Sequence, residues 1–129
     1  MDADERRLRM DEISRAVIGA AYEVSNQLGV GFLEKVYENA LAHEIRKGGL
    51  AVRQQAAVLV QYDGVTVGDY LADLLVEESI IVELKVAKAF DDVHLAQCLN
   101  YLKATALPVC ILLNFGKPRV DVKRIVNNF

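Results

Sequence analysis

The sequence predicts a fold of the α/β or α+β class, a mixed β-sheet flanked by helices, and three observations support it. Two stretches with apolar residues at three- and four-residue spacing come first. Three strand-like segments follow, and then one more helical stretch and two further strand-like segments. The resulting order, α-α-β-β-β-α-β-β, predicts a mixed sheet. With 129 residues, of which 53% are hydrophobic, we expect a single domain over residues 1–129.

The first two elements are predicted as amphipathic helices. The first covers residues about 11–28, and the charged residues 1–10 are expected to form a frayed N-terminal segment. The second covers Phe32–Lys47 and ends at a pair of glycines. The residues expected to face the core are Ile13, Val17, Ala20, Val24 and Leu28 on the first helix, and Leu33, Val36, Ala40 and Leu41 on the second.

From Val52 the apolar period changes to two, which predicts a strand. Asp63 and Gly64 are a strong two-residue hairpin signal leading into a second strand over Val65–Val76. After a turn at residues 77–79, the third strand covers Ile80–Val86. The sequence therefore predicts a meander of three strands.

The last third of the chain supplies one helix and two strands. Asp91 or Asp92 can cap a helix that ends near Thr105. Pro108 then precedes an apolar strand over residues 109–115, and a turn at residues 116–118 leads into a last strand at about 120–126.

Charge and composition exclude several classes of function. The net charge of −3 argues against broad adhesion to nucleic acid, although a local basic face or a bound divalent cation still admits a phosphate backbone. No apolar stretch reaches the roughly 20 residues that cross a bilayer, and the charged N-terminus does not resemble a signal peptide. We therefore expect a cytoplasmic protein with no membrane partner. Cys98 and Cys110 lack metal-site spacing and are expected in the core as free thiols.

Two charged residues interrupt the most apolar strand. Glu83 and Lys85 lie between isoleucine, valine and leucine residues, where ionised groups are tolerated only beside a polar cleft, a partner charge or a metal. If this strand pairs symmetrically with the preceding one about Glu78, Asp73 lies directly opposite Glu83. Because side chains alternate along a strand, Asp73, Glu83 and Lys85 emerge on one face, with the two acids about 5 Å apart at Cβ.

These three residues suit metal-dependent phosphodiester chemistry. Two carboxylates so close together repel unless a cation lies between them. Oxygen ligands at this spacing suit Mg²⁺ or Mn²⁺, which leave positions open for substrate phosphate. Lys85 would then orient or deprotonate the attacking water, or stabilise the charge of the transition state. The competing interpretation is a surface salt bridge between Lys85 and one of the acids.

The predicted helix after the third strand adds a polar stripe. His94, Gln97 and Tyr101 recur at helical spacing, and apolar residues form the opposite stripe. Such a stripe is either a solvated face or the edge of a cleft. The apolar stripe consists of Leu95, Cys98, Leu99 and Leu102.

At this point the residues carry a resemblance that covers nearly the whole chain. The segment GFLEKVY, residues 31–37, matches the Gly-x-x-Glu-x-x-Tyr signature of the GxxExxY family, a small-protein branch of the PD-(D/E)XK nuclease-like superfamily. Asp73 followed by Glu83-Leu84-Lys85 resembles the divided active-site motif of that superfamily, with Ala72 in place of the usual proline. On the next helix, Gln97 and Tyr101 are similar to the Gln-x-x-x-Tyr motif of RecB-type and related nucleases.

The resemblance implies a restriction-endonuclease-like core and a role for each matching residue. Asp73 and Glu83 would bind Mg²⁺ or Mn²⁺ with help from the Leu84 carbonyl, and Lys85 would serve the nucleophile. It also implies that Glu34 joins the metal shell directly or through water, and that Gln97 and Tyr101 belong to the catalytic site. Two accessory residues complete the set: Tyr37, which would either hydrogen-bond the Glu34 carboxylate or pack, and His94.

Three hypotheses for function stay open at this point. The first is a metal-dependent nuclease acting on DNA or RNA, and the second is a noncatalytic nucleic-acid-binding or regulatory module of the same fold. The third is an interaction protein in which the charged residues are structural. A domain this small also suggests a homodimer or a larger protein partner. Candidate contacts to a nucleic-acid backbone are Arg6, Arg7, Arg9, Lys88, Lys117, Arg119, Lys123 and Arg124.

Overall fold

A computed structural model describes residues 1–127 of the chain. Within these residues, three helices flank a five-stranded mixed sheet, so the predicted fold class and element order are confirmed. No helix in this range has both the length and the apolar character needed to cross a membrane. The elements are α1 (Ala3–Leu28), α2 (Glu34–Lys47), β1 (Val52–Tyr62), β2 (Val65–Val76), β3 (Ile80–Lys85), α3 (Asp92–Thr105), β4 (Val109–Asn114) and β5 (Asp121–Val126).

The five strands lie in the order β1-β2-β3-β4-β5. The β3–β4 pair is parallel because α3 carries the chain back across the sheet, and the other neighbouring strands are antiparallel. β3 and β4 form the buried centre, as their continuous apolar sequences predict. Leu75 pairs with Ile81, so the predicted register of β2 on β3 is confirmed.

The larger core lies between the sheet and the first two helices, on what we call the α1/α2 face. Tyr37 is fully buried there, and its ring stacks on Phe115 with centroids 4.8 Å apart. The predicted inner stripe of α1 is confirmed, from Ile13 to Val24. The sheet contributes to this core Leu74, Val76, Ile80, Val82, Leu84, Val109, Ile111 and Leu113.

The smaller core lies under α3, on what we call the α3 face. Cys98 and Cys110 are both buried here as free thiols, as predicted. The other members of this core are Val58, Ala72, Ile81, Tyr101, Leu102 and Leu112.

The β1–β2 hairpin passes from one face of the sheet to the other. Leu74 packs on the α1/α2 face, whereas Ala72, two residues away, packs on the α3 face. The reversal falls at Asp73, opposite Gln55, which has a left-handed φ of +53°. Because β3 pairs with β2 only from Leu74 onward, residues 56–71 form a two-stranded outer arm beside α3. The predicted turn at its tip is confirmed by positive φ values at both turn residues, Asp63 and Gly64.

The predicted start of the first helix is wrong, because α1 begins at Ala3 rather than near residue 11. Residues 3–10, predicted to be frayed, are helical. The Asp2 carboxylate caps this end by accepting from the Glu5 N–H at 2.8 Å. Arg9 ties the same turns to the β2–β3 turn through Glu77, at 3.0 Å.

The predicted inner face of the second helix is also partly wrong. Leu41 is fully buried, but Leu33 and Val36 are 80% and 38% exposed. Tyr37 is buried instead, because its ring fills the space against Phe115 and rotates the helix face by about one position. The buried residues of α2 are Tyr37, Glu38, Leu41, Ala42 and Ile45.

Candidate active site

Asp73 and Glu83 lie against each other where β2 separates from β3. The Asp73 N–H donates to Glu83 Oε1 at 3.0 Å, and the Leu84 N–H donates to Asp73 Oδ2 at 2.8 Å. The last regular pair of the two strands on this side is Leu74 with Val82, next to Asp73 and Glu83. Each carboxylate thus accepts an N–H of the opposite strand where the ladder has stopped. The chain holds the two acids together at this break.

Both acids are disfavoured in their charged forms. Burial raises the pKa of Glu83 to about 8, and the negative charge of Asp73 adds to the rise. Burial also raises the pKa of Asp73, although the hydrogen bond from the Leu84 N–H opposes this effect. Glu83 is 2% exposed. A proton or a cation shared between the two acids would relieve both costs.

Lys85 is the third residue of the predicted set and emerges on the same face of β3 as Glu83. It forms no ion pair within residues 1–127, so the competing interpretation of a salt bridge with either acid is wrong. Its charge nevertheless opposes the rise in pKa of Asp73, Glu83 and Glu34. The amine is therefore near the acids but available to another partner.

Glu34 is the first residue of α2 and lies at the rim of the same site. Its side chain is exposed, yet partial burial of the carboxylate raises its pKa, and the charge of Asp73 raises it further. The loop before it turns at Gly31, where a φ of +110° requires glycine. The structure thus brings Glu34 near Asp73 and Lys85, and its role as a metal ligand stays a prediction.

Tyr37 packs rather than bonding the Glu34 carboxylate. Its hydroxyl donates to the Gly29 carbonyl at 2.6 Å and accepts from the Phe32 N–H at 3.3 Å. These two bonds hold the loop that leads into α2. Tyr37 therefore positions Glu34 through the backbone and takes no part in the site itself.

Two residues that the sequence analysis does not single out lie behind the acids. Glu38 is 3% exposed, and its carboxylate accepts from Lys35 Nζ at 2.8 Å and from the side-chain amides of Gln54 and Gln55, each at 2.7 Å. The Gln55 amide also lies 3.5 Å from Asp73 Oδ1. Gln55 thus links a buried acid of α2 to an acid of the site.

The sequence contains a signal for one of these two residues. Glu38 follows Glu34 at i+4, so both carboxylates lie on one side of the helix. The second residue, Gln55, gives no local signal. Its left-handed backbone is typical of glycine, asparagine and aspartate, and only the strand reversal beside Asp73 explains it.

Of the predicted polar stripe of α3, Tyr101 lies buried near the acids. Tyr101 is 5% exposed and accepts a hydrogen bond from Gln97 Nε2 at 3.1 Å, whereas Leu99 of the predicted apolar stripe is 41% exposed. Burial and the charge of Glu83 raise the pKa of Tyr101. His94 closes a capping box, because its Nδ1 accepts from the Asp91 N–H at 3.3 Å.

The loop after Lys85 is held in place by β4 and the turn after it. The buried Asn114 side chain accepts from the Ala87 N–H at 3.0 Å and donates to the Ala87 carbonyl at 2.9 Å. Gly116 lies so close to the Ala87 backbone that a Cβ there would overlap it. This contact fixes the path of the chain just beyond Lys85.

A divalent cation fits the two central acids in donor chemistry. Asp73 Oδ1 and Glu83 Oε2 are the oxygens not used by the bonds that join the strands. Residues 1–127 contain no group of three or more His, Cys, Asp or Glu side chains able to hold a metal. Mg²⁺ nevertheless often binds through one or two carboxylates, several waters and substrate phosphate, so a pair is sufficient. Leu84 contributes its N–H, and the ligation by its carbonyl stays a prediction.

Most of the basic residues expected to contact nucleic acid have partners inside the chain. Lys88 and Lys123 form no ion pair among the residues that the structure describes, so they stay available. The basic residues held by acids or by an aromatic ring are Arg7, Arg9, Lys117, Arg119 and Arg124.

Comparisons with known proteins give one match. The family model of the PD-(D/E)XK nuclease superfamily matches residues 11–125, which include every candidate site residue. Neither curated proteins nor solved structures gave a significant match. The narrower assignment to the GxxExxY branch stays a prediction. Nucleases of the superfamily generally use divalent metals such as Mg²⁺, and membership implies an interaction with nucleic acid. The chain belongs to the PD-(D/E)XK nuclease superfamily.

Proposed function

We propose that the protein is a metal-dependent nuclease that hydrolyses phosphodiester bonds of DNA or RNA at Asp73, Glu83 and Lys85. The observation that carries the proposal is the pair of carboxylates of Asp73 and Glu83, each of which accepts a backbone N–H of the opposite strand. Beside this pair lies Lys85, which forms no ion pair within residues 1–127. Membership in the superfamily supports the same reading of the site.

In this proposal, Asp73 and Glu83 hold Mg²⁺ or Mn²⁺, with Glu34 and the Leu84 carbonyl as additional ligands. When bound, the cation supplies a Lewis acid for the phosphate oxygens. The raised pKa of Glu83, about 8, means that the proton and the cation compete for the same carboxylate near neutral pH.

Lys85 acts on the water that attacks phosphorus. Its amine orients the water, takes its proton or stabilises the negative charge that develops on the phosphate. The new bond joins the water oxygen to phosphorus, and the bond from phosphorus to the leaving oxygen breaks, which yields a phosphate monoester and a hydroxyl. Tyr101 accepts from Gln97, so its own hydroxyl proton can bind a phosphate oxygen at the edge of the site.

A cleavage assay tests the proposal. Labelled single- and double-stranded DNA and RNA are incubated with the protein and Mn²⁺, and the rates of wild type, Glu83→Gln and Lys85→Met are compared. We expect each substitution to lower the rate by about 100-fold or more. Glu78→Gln is the matched control, because Glu78 is an exposed acid of the neighbouring turn. Cleavage at the wild-type rate in Glu83→Gln would refute the assignment of the site.

One observation favours a second candidate function, a noncatalytic nucleic-acid-binding module. Glu83, with a pKa of about 8, is largely protonated at neutral pH without a cation. Nucleic-acid binding that needs no metal, without cleavage in Mg²⁺ or Mn²⁺, would select this candidate.

A further inference from the structure

A groove of about 790 Å³ lies between α3 and the outer arm. Tyr101, which we have placed at the edge of the catalytic site, forms part of its wall. On the arm side the wall includes Tyr70, which is 52% exposed and whose ring centroid lies 5.9 Å from that of Tyr101. The groove therefore shares Tyr101 with the candidate site, and the exposed ring of Tyr70 lies beside it in the wall.

The chemistry of the wall is that of a nucleobase site. Flat aromatic faces stack on any base, and side-chain amides bond the edges of bases. The amides present are those of Gln61, Gln97 and Asn100. The lining also contains one cation, Lys103, and no carboxylate, although the chain as a whole carries a net charge of −3. The lining therefore presents a positive charge and no negative charge to an anionic strand.

The size of the groove selects the form of nucleic acid. A volume of 790 Å³ lies within the roughly 300–1,000 Å³ range of small-ligand sites. It admits a few unstacked bases, whereas the bases of a double helix are stacked and paired inside the duplex. Bases can stack on the exposed ring of Tyr70 only when they are unpaired.

We propose that this groove binds the unpaired bases of single-stranded nucleic acid and so directs single strands, rather than duplexes, to Asp73 and Glu83. The inference rests on the proposed function for the identity of the site, but the groove binds bases whether or not the bond is cut. Tyr70 stacks on a base and is a specificity residue, not a catalytic one.

The test measures binding separately from cleavage. Fluorescence anisotropy follows labelled 12-mers of single-stranded DNA, single-stranded RNA and blunt duplex in Ca²⁺, without turnover. We expect wild type to bind at least one single strand about 10-fold or more tightly than duplex. Tyr70→Ala should weaken this binding about 5- to 150-fold, the value of one stacked base, whereas Tyr70→Phe should retain it. Equal affinity for duplex and single strand would overturn the proposal.

Two further variants keep the test decisive. Tyr62→Ala is the matched control, because Tyr62 is a 74% exposed tyrosine of the same hairpin outside the groove, and it should bind as wild type does. Ala96→Trp fills the groove without removing a tyrosine and should weaken binding as Tyr70→Ala does. Unchanged single-strand affinity in both Tyr70→Ala and Ala96→Trp overturns the inference. A dimer that Ala96→Trp dissociates, with no effect on nucleic acid, would assign the groove to a second copy instead and would also overturn it.

The readouts separate the two proposals. If Glu83→Gln abolishes cleavage while Tyr70→Ala and Ala96→Trp both leave single-strand affinity unchanged, the groove inference fails and the nuclease proposal stands. If no substrate is cut but single-strand binding depends on Tyr70, the nuclease proposal fails and the groove inference stands. Quenching of 2-aminopurine fluorescence on binding, lost in Tyr70→Ala, reports the stacking itself and supports the groove assignment.

Discussion

The two faces of the sheet divide stability and chemistry between them. Within residues 1–127, the α1/α2 face buries nineteen core residues, against eight on the α3 face. The first face is closed by two helices. The second carries Glu83, two thiols and an open groove beside α3.

The difference explains how the chain tolerates a costly site. An acid such as Glu83, 2% exposed and without a counter-ion in contact, destabilises the folded state. The large apolar core on the opposite face offsets this cost. The site itself lies at Asp73, where β2 crosses between the two faces. The strands that carry the acids pack on the α1/α2 core, and the groove lies on the α3 face.

The largest effects are expected from a matched pair of truncations on one strand. Leu112 and Leu113 are neighbours on β4, both fully buried, and they point to opposite faces. Leu113→Ala should lower the free energy of unfolding by about 3–5 kcal/mol, because the closed α1/α2 core cannot collapse around the cavity. Leu112→Ala should lower it by about 2–3 kcal/mol, since the α3 face can adjust next to the groove.

Urea denaturation of the two variants measures this difference. The wild-type protein provides the reference for the slope, which must stay unchanged if only stability changes. A greater loss of unfolding free energy in Leu112→Ala than in Leu113→Ala would contradict the conclusion that the α1/α2 face contributes more to stability.

A smaller effect is expected from pH. The pKa of Glu83 is about 8 in the folded chain and near its ordinary value of 4.5 in the unfolded one. The folded state therefore holds a proton that the unfolded state has released, so stability falls as pH rises from about 4.5 and levels off above about 8. Between pH 6 and pH 8 we expect a loss of about 2 kcal/mol in metal-free protein.

Denaturation midpoints across this pH range provide the measurement. Glu83→Gln should flatten the dependence, and saturating Mg²⁺ should flatten it in wild type. A slope of the same size in Glu83→Gln would show that another group carries it.

The smallest effect on stability is expected at the crossing point between the faces. Gln55→Gly removes the cost of about 1–2 kcal/mol that a side chain adds to a left-handed backbone. The same substitution removes the amide that donates to Glu38 and lies beside Asp73. We expect the two changes to cancel within about 1 kcal/mol of the free energy of unfolding. A loss of several kcal/mol in a thermal or urea melt would indicate that Gln55 is a structural anchor instead.

The sequence predicts the centre of the site because local signals determine it. The turn at residues 77–79 fixes the register of β2 on β3, and the register places Asp73 beside Glu83. The apolar runs of β3 and β4 likewise predict a buried centre of the sheet. These features depend on the spacing of apolar residues and on turn residues, both of which can be identified within a short segment of the sequence.

The parts that the sequence does not predict depend on contacts distant along the chain. The inner face of α2 is set by the stacking of Tyr37 on Phe115, which turns Leu33 outward and buries Glu38. The first turns of α1 are tied to the β2–β3 turn by the pair of Arg9 with Glu77. No local pattern contains either contact.

The account depends most on a divalent cation at the paired acids. Crystals soaked in Mn²⁺ give anomalous scattering that locates the ion directly, and the account predicts a peak bridging the carboxylates of Asp73 and Glu83, lost in crystals of Glu83→Gln. An anomalous peak at other residues, or none at these two acids under saturating Mn²⁺, would contradict it.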